Sequence, residues 1–358
     1  MAYTTIKKPS DYFNTKLYTG NGSTQSITGV GFQPDMTWIK SRTTGGGGNN
    51  NHCINDVVRA KGSFGYPMIH PNLTASEYDP TSGNEVITDF QSDGFDLGGN
   101  ENSNYNTATY ASWNWLANGT GVSNTDGSIT STVSANTTSG FSIVSYSGNG
   151  TNGATVGHGL GVAPKTVIVK ARTTGNTQNW FVNYPFGTGD GYIMLNSTNA
   201  GDGANSSVWN STTPNSSTVT LGTTSGVNDA SYDYIMYCFA DVKGFSKFGS
   251  YVGNGNSDGT FVYTGFKPAF VLLKNYSAAG DSWQLHDNKR LGYNVDNNIL
   301  FPNTSATEST ADVIDILSNG FKLRTTASGW NSSGGSYIYM CFAENPFVTS
   351  TSIPCTAR

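Results

Sequence analysis

Charge is scarce in this chain. Of 358 residues only 12% are Asp, Glu, Lys or Arg, about half the ~25% of an average soluble protein. A disordered, solvated segment needs high net charge with low hydrophobicity. Here the net charge is −5 and aromatic residues reach 12%, so that class is excluded. Basic clusters are missing too: Lys7-Lys8 and Lys289-Arg290 are the densest spots. Counterion-release binding to nucleic acid needs a cationic face, which this sequence does not supply. Apolar runs are short, Ala269–Leu273 being among the longest, against the ~20 residues of a membrane-spanning helix. The N-terminus has no apolar stretch of the secretory-signal kind. The four cysteines, Cys53, Cys238, Cys341 and Cys355, have no metal-ligand spacing. Cys238 and Cys341 sit in apolar, strand-like segments, where a thiol acts as a small hydrophobe, so free thiols are expected. Helical periodicity is nearly absent; the best stretch, Asp56–Lys61, stops at Gly62.

What the chain has instead is Gly, Asn, Ser and Thr, with 44 Gly, 19 Tyr and 18 Phe. Turn formers with many aromatics point to a loop-rich β protein with ample core material. A pattern recurs three times. Tyr18-Thr-Gly-Asn-Gly22, Tyr146-Ser-Gly-Asn-Gly150 and Tyr251-Val-Gly-Asn-Gly255 open it. Each is followed by Gly-x-x-Pro and a strand-like run to a Lys: Pro34 to Lys40, Pro164 to Lys170, Pro268 to Lys274. Each ends on an aromatic segment: Tyr110–Trp115, Tyr234–Phe239 and Tyr337–Phe342. The first and third copies also share Val86–Leu97 with Val313–Leu323, and Pro71–Glu77 with Pro302–Glu308, whereas residues 195–230 of the second diverge.

Alternation in these segments is of the β type. Asn319-Gly320 and Asp93-Gly94 mark hairpins. The closing segments are apolar on both parities, which suits a strand covered on both faces. The expected fold is all-β: three tandem antiparallel β-sandwich or jelly-roll-like repeats of about 100 residues. The expected boundaries are a leader at 1–13, repeats at 14–118, 138–242 and 243–347, a linker at 119–137 and a tail at 348–358.

The chemistry-bearing residues suggest scaffold. Glu77, Asp79, Glu85 and Asp89 crowd one region, as an acid pair for glycan cleavage would. The third copy keeps Glu308, Asp312 and Asp315 there, so they read as part of the repeat. The histidines, His52, His70, His158 and His286, lack ligand spacing. Asp56/Arg59 and Asp287/Arg290 form an Asp-x-x-Arg echo that reads as salt bridging. Gly255-Asn-Ser-Asp-Gly259 matches the nucleophile-elbow letters without a following helix and reads as a turn. Gly45–Gly48 reads as a surface loop, with none of the Lys-Ser/Thr of a phosphate loop. Sequon-like tripeptides at Asn21, Asn72, Asn118 and Asn275 read as chance in an Asn/Ser/Thr-rich chain. Of Trp38, Trp180, Trp209, Trp283 and Trp330, which could stack sugars, Trp38 reads as core, and Trp209 and Trp330, in polar surroundings, are the better candidates for exposure, with core or inter-copy packing expected ahead of ligand contact even there.

The run from Tyr12 to Lys40 and the ending Tyr337–Phe347 resemble a repeated domain of unknown function in virion proteins of marine tailed phages, including those of cyanobacteria. Asn114, where the other copies have Cys238 and Cys341, and the middle of the second copy depart from it. The resemblance implies a virion structural protein, tail-associated or fibre-like, with a role in host-surface attachment. A capsid decoration (cement) protein is the alternative, and a glycan-binding or glycan-degrading tail enzyme the second alternative. On this reading the chain is not an enzyme and takes no cofactor and no metal. No catalytic or ligand-binding residue is assigned. Its partners are other virion proteins, further copies of itself in a homo-oligomer or array, and host-surface glycan, with no nucleic acid and no membrane span. It is made in the host cytoplasm and displayed on the particle. Self-association is also expected because flat β surfaces with few charges have little protection against it.

Overall fold

The computed structural model describes residues 4–43, 50–184, 191–203, 205–290, 294 and 298–346. Gly45–Gly48, Cys355 and the tail 348–358 lie outside the described residues. After a 3-10 turn at Pro9–Asp11 come β1 (Phe13–Thr19), β2 (Gln25–Thr28), β3 (Met36–Ser41), β4 (Cys53–Asp56), β5 (Ile87–Gln91), β6 (Gly94–Leu97), the one-turn helix α1 (Glu101–Asn104) and β7 (Thr109–Trp115). Next are β8 (Val122–Asn124), β9 (Ser131–Asn136), β10 (Phe141–Ser147), β11 (Ala154–Gly157), β12 (Thr166–Ala171), β13 (Phe181–Tyr184), β14 (Gly191–Met194), α2 (Ser206–Trp209), β15 (Thr218–Leu221) and β16 (Asp233–Phe239). The rest are β17 (Ser246–Val252), β18 (Phe261–Tyr263), β19 (Phe266–Asn275), β20 (Gln284–Asp287), β21 (Asn298–Ile299), β22 (Ser309–Thr310), β23 (Ile314–Leu317), β24 (Gly320–Leu323), α3 (Ser328–Asn331) and β25 (Ser336–Pro346).

The all-β class is as expected. Two four-stranded sheets have the orders β1-β7-β3-β4 and β17-β25-β19-β20, and a seven-stranded one runs β14-β13-β12-β16-β10-β9-β8. Smaller sheets, β2-β6-β5, β11-β15 and β18-β24-β23, face them. Each large sheet and its smaller partner form one β-sandwich-like pair, called first, second and third below. The hairpins at Asp93-Gly94 and Asn319-Gly320 join β5 to β6 and β23 to β24.

Strand parity explains how the pairs come together. On β25, Tyr337, Tyr339 and Cys341 face the core between the third pair's sheets. Ile338, Met340 and Phe342 face the other way, into a central core drawn from all three pairs. β16 divides likewise, with Tyr234, Met236 and Cys238 in its own core and Ile235, Tyr237 and Phe239 in the central one. β7 sends Ala111, Trp113 and Trp115 to the centre. There the Phe342 ring stacks on Phe13 at 5.0 Å and meets Trp115, Phe239 and Phe270 at 5.7–6.0 Å. Complete burial of each such side chain contributes about 1.5–3 kcal/mol.

The opening motif is explained as well. Tyr18, Tyr146 and Tyr251 stack on the closing-strand residues Tyr110, Tyr234 and Tyr337, with centroids 5.1, 5.1 and 4.8 Å apart. A buried Asn after or at the end of each helical turn, Asn104, Asn228 or Asn331, accepts the N–H of Asn21, Asn149 or Asn254, each at 2.9 Å. The Gly before that loop Asn passes close to backbone: a Cβ on Gly20, Gly148 or Gly253 would lie 2.3 Å from a carbonyl oxygen. The Gly after it has positive φ: 72, 69 and 66° at Gly22, Gly150 and Gly255.

Several expectations are corrected. The stretch 119–137, read as a linker for its small polar residues, contains β8 and β9, which extend the second pair's large sheet. In the leader, Thr4, Ile6 and Pro9 are buried, Ile6 in the central core. Trp209 is buried between the second pair's sheets, not exposed, because α2 turns it inward. Trp330 is half-buried. As expected, Cys238 and Cys341 are free and buried, and Cys53 is too; burial pushes Cys53 and Cys238 up to about 12, so these thiols are unreactive at neutral pH.

Two outcomes are expected. A thiol reagent should leave Cys53, Cys238 and Cys341 unmodified in native protein and label them after unfolding, by peptide mass mapping. Phe342→Ala should cost about 3–5 kcal/mol in denaturant unfolding, and hydrogen exchange should show faster opening in all three pairs, not in the third alone.

Candidate functional site

Many of the buried charged side chains, Lys40, Lys170, Lys274, Asp56, Arg59, Asp287 and Arg290 among them, lie at the seams between the sheet pairs. Three strips of chain, His70–Glu77, Met194–Gly201 and Phe301–Glu308, each lie against the neighbouring pair in one register. At its first residue, each strip offers a carbonyl to a ring N–H: Trp180 Nε1 to His70 O at 2.9 Å, Trp283 Nε1 to Met194 O at 2.9 Å, and His52 Nε2 to Phe301 O at 3.1 Å. His52 Nδ1 accepts from Trp38 Nε1, which fixes its proton on Nε2. Four residues on, a carbonyl accepts from a buried lysine of the same neighbour: Lys170 to Thr74 at 2.9 Å, Lys274 to Thr198 at 3.3 Å, Lys40 to Ser305 at 3.4 Å. At the last residue, a backbone N–H donates across: Glu77 to Arg172 O, Gly201 to Tyr276 O, Glu308 to Arg42 O, at 2.8–3.1 Å.

Two of the seams add the same ion network. Asp56 and Arg59 pair at 2.7 Å with both side chains wholly buried. Arg59 reaches Glu77 at 3.1 Å, and Glu77 takes Arg172 of the second pair at 3.0 Å. Tyr237 donates its hydroxyl to Asp56 at 2.7 Å. Between the third and first pairs, Asp287 meets Arg290 at 2.6 Å, Arg290 meets Glu308 at 2.9 Å, and Glu308 takes Arg42 at 2.9 Å. Trp113 Nε1 donates to Asp287 at 3.0 Å. Burial works to raise the Asp287 carboxyl, yet Arg290 holds it below the usual carboxylate range. In the remaining seam, among the described residues, Tyr184 lies against Tyr276 with centroids 5.3 Å apart, and Met340 stands where Tyr237 and Trp113 stand on their strands. A small cavity of about 20 Å³ there is lined by Ile168, Val182, Tyr184 and Met340.

The Asp-x-x-Arg echo is thus a pair of buried salt bridges, and Glu77 and Glu308 are its cross-seam members. The other acids do not join them: Asp89 pairs with Lys61 at 3.1 Å, Glu85 accepts from Gly83 N–H, and Asp315 lies 3.3 Å from Arg324. The histidines are not brought together as a set, although His52 and His70 are neighbours. His52 is held well below its usual value by burial and then by Lys40. His286 falls to about 3 through burial and then Arg290, and burial lowers His70 and His158. All four imidazoles are neutral at ordinary pH. Gly255–Gly259 lies in the loop from β17 to β18. Among the described residues no group of three or more His, Cys, Asp or Glu could hold a metal ion, and no helix is long and apolar enough to cross a membrane.

The strip of the second pair was missed in the sequence. Its signal was Asn196, the counterpart of Asn72 and Asn303. Each Asn accepts the N–H of the ring residue that crosses the seam, His52, Trp180 or Trp283, at 2.9–3.1 Å. Among the described residues there are open grooves of about 390 Å³ with Tyr78, Asn84, Asn100 and Glu101 and of about 450 Å³ with Asp241, Lys247 and Tyr263.

Among known proteins, a family model described as "Domain of unknown function (DUF7483)" matches residues 8–346. No curated protein and no solved structure matches the chain.

Two tests concern the seams. Asp56→Ala strands Arg59 in the interior and should cost about 3–5 kcal/mol; a loss under 1 kcal/mol in urea unfolding would contradict the network's role. Burial lowers Lys170 to about 7 and Lys40 and Lys274 to about 8. A folded-state value below the unfolded ~10.4 means the unfolded chain binds more protons between the two. Stability should therefore rise from about pH 7 to pH 10, seen as a rising Tm. Above that it should fall, because burial raises Tyr18, Tyr146 and Tyr251 well above their usual value. Lys170→Met should flatten the rise.

Proposed function

This chain belongs to the DUF7483 family, and on that premise we propose that it is a virion structural protein. It is built of three tandem β-sandwich units, the second taking in β8 and β9, and is tail-associated or fibre-like with a role in host-surface attachment. The equivalence of the units is supported by the shared strand orders β1-β7-β3-β4, β10-β16-β12-β13 and β17-β25-β19-β20.

The observation that carries the reading is where the polar chemistry goes. Buried Lys, Arg, Asp and Glu side chains are committed to carbonyls and ion pairs that join unit to unit. A removed partner would leave a buried charge uncompensated, so such contacts lock one arrangement of the units. A rigid, closed scaffold suits a particle component that must keep its shape outside the cell. The resemblance to marine tailed-phage virion proteins points the same way. The cyclic order of the seams favours one second reading, a capsid decoration protein at a threefold position.

Quantitative mass spectrometry of purified particles tests this. A tail component is expected at a few to tens of copies per particle, and antibody labelling in negative stain should mark the tail. Hundreds of copies with label over the head would replace the first reading by the second. Absence from the particles would refute both.

A further inference from the structure

The first and third sheet pairs agree where they build the seams and differ at one place. Asp56, Arg59 and Glu77 answer to Asp287, Arg290 and Glu308, and Asn104 to Asn331. Beyond the strip, eight residues separate Glu77 from Val86, but four separate Glu308 from Val313, so the first pair carries a longer loop. Tyr78, which bridges Met68, stands where Ser309 pairs with Ile299. At the facing helical turn, Asn100, Glu101 and Asn102 stand where the third pair has Ala327, Ser328 and Gly329. All of these replacements line one groove, of about 390 Å³, together with Gly83 and Asn84 of the longer loop. In repeat architectures, insertions in individual copies map to loops on one face, often the binding face.

The groove is preformed. The N–H and C=O of Tyr78 both bond Met68. Asn84 Nδ2 donates to the Tyr78 hydroxyl at 2.8 Å, Asn100 Nδ2 to Asn84 Oδ1 at 2.9 Å, and Asn102 Nδ2 to Asn100 Oδ1 at 3.2 Å. Asn100, the middle of this relay, is only 3% exposed. Glu101 is exposed; its main-chain carbonyl takes the Tyr110 hydroxyl at 2.8 Å, and no described residue bonds its carboxylate. The seams do not use any of these side chains.

An aromatic flank, planar amides and a free carboxylate match the surface of a sugar ring. The C–H face of a pyranose is apolar and packs on an aromatic side chain, whose polar tip stays available. Sugar hydroxyls both donate and accept, as amides do, and a carboxylate accepts only. No Lys or Arg lines the groove, so Glu101 repels an anionic sugar. Glu101 is also its only lining acid, whereas glycoside cleavage uses two; the chemistry is that of holding a glycan, not cutting it. The volume lies within the about 300–1,000 Å³ of small-molecule sites.

We infer that this groove binds a neutral pyranose sugar, with Tyr78 against its C–H face and the Glu101 carboxylate accepting from its hydroxyls. That the sugar belongs to a glycan of the host surface rests on the attachment role proposed above.

The probes are the methyl glycosides of glucose, galactose, mannose and N-acetylglucosamine, with N-acetylneuraminic acid as the anionic comparison, titrated into the full chain and read by saturation-transfer NMR. Saturable binding of at least one neutral glycoside is expected, and none of the anionic sugar. Glu101→Ala should weaken binding about tenfold or more, as the loss of hydrogen bonds to a charged group implies, with the thermal melt unchanged. Tyr78→Ser, which installs the third pair's residue, should weaken it similarly, and Glu101→Ala decides if that variant disturbs the loop. No saturation by any neutral glycoside, preference for the anionic sugar, or wild-type affinity in Glu101→Ala overturns the inference. A chain found on tails that binds none of the glycosides refutes the groove alone, and a chain that binds them but is absent from particles refutes the virion role alone.

Discussion

Three strands, β7, β16 and β25, must bury both of their faces, and the architecture follows from that demand. One face is covered by the small sheet of the same unit. The other is too apolar to meet water and has no second sheet of its own. Ala111, Trp113, Trp115, Ile235, Tyr237, Phe239, Ile338, Met340 and Phe342 find cover only against one another. The hydrophobic effect is non-directional and rewards apolar area removed from water. What gives the central core its geometry is the set of polar contacts around it.

Those contacts divide the labour unevenly. Two seams use Arg–Glu–Arg–Asp networks and the third uses Tyr184, Tyr276 and Met340. Replacing a buried ion network by apolar residues is often neutral or stabilising, whereas half a network is costly. In the third seam Gly201 stands where Glu77 and Glu308 stand, and Tyr276 where Arg172 and Arg42 stand. What all three seams keep is the backbone geometry, with one carbonyl for a ring N–H, one for a lysine, and one N–H for a carbonyl.

Much of this was legible in the sequence. The Tyr-x-Gly-Asn-Gly openings, the Pro-to-Lys strands and the two-sided closing segments mark β1, β3 and β7 and their counterparts, because glycine geometry and strand parity are local properties. Asp56/Arg59 and Asp287/Arg290 were readable as salt bridges for the same reason. The seams were not, because Arg172 and Glu77, or Trp113 and Asp287, meet only after the units close on one another. Composition misled at two places. Ser131–Asn136 looks like a linker until β10 offers it an edge, and Trp209 looks exposed until α2 turns it inward.

The seams also have a direction. The first sheet pair gives its strip to the second, the second to the third, and the third to the first, so the described strip contacts run head-to-tail and the circuit closes within one chain. A heterologous contact that closes makes a ring, and one that does not makes an open chain. Here the circuit closes at three sheet pairs. A duplication or deletion of one unit during the evolution of such a sequence would leave an unmatched donor strip at one end and an unmatched acceptor at the other. After a deletion the product could complete the same three-membered ring only with a sheet pair borrowed from a second chain.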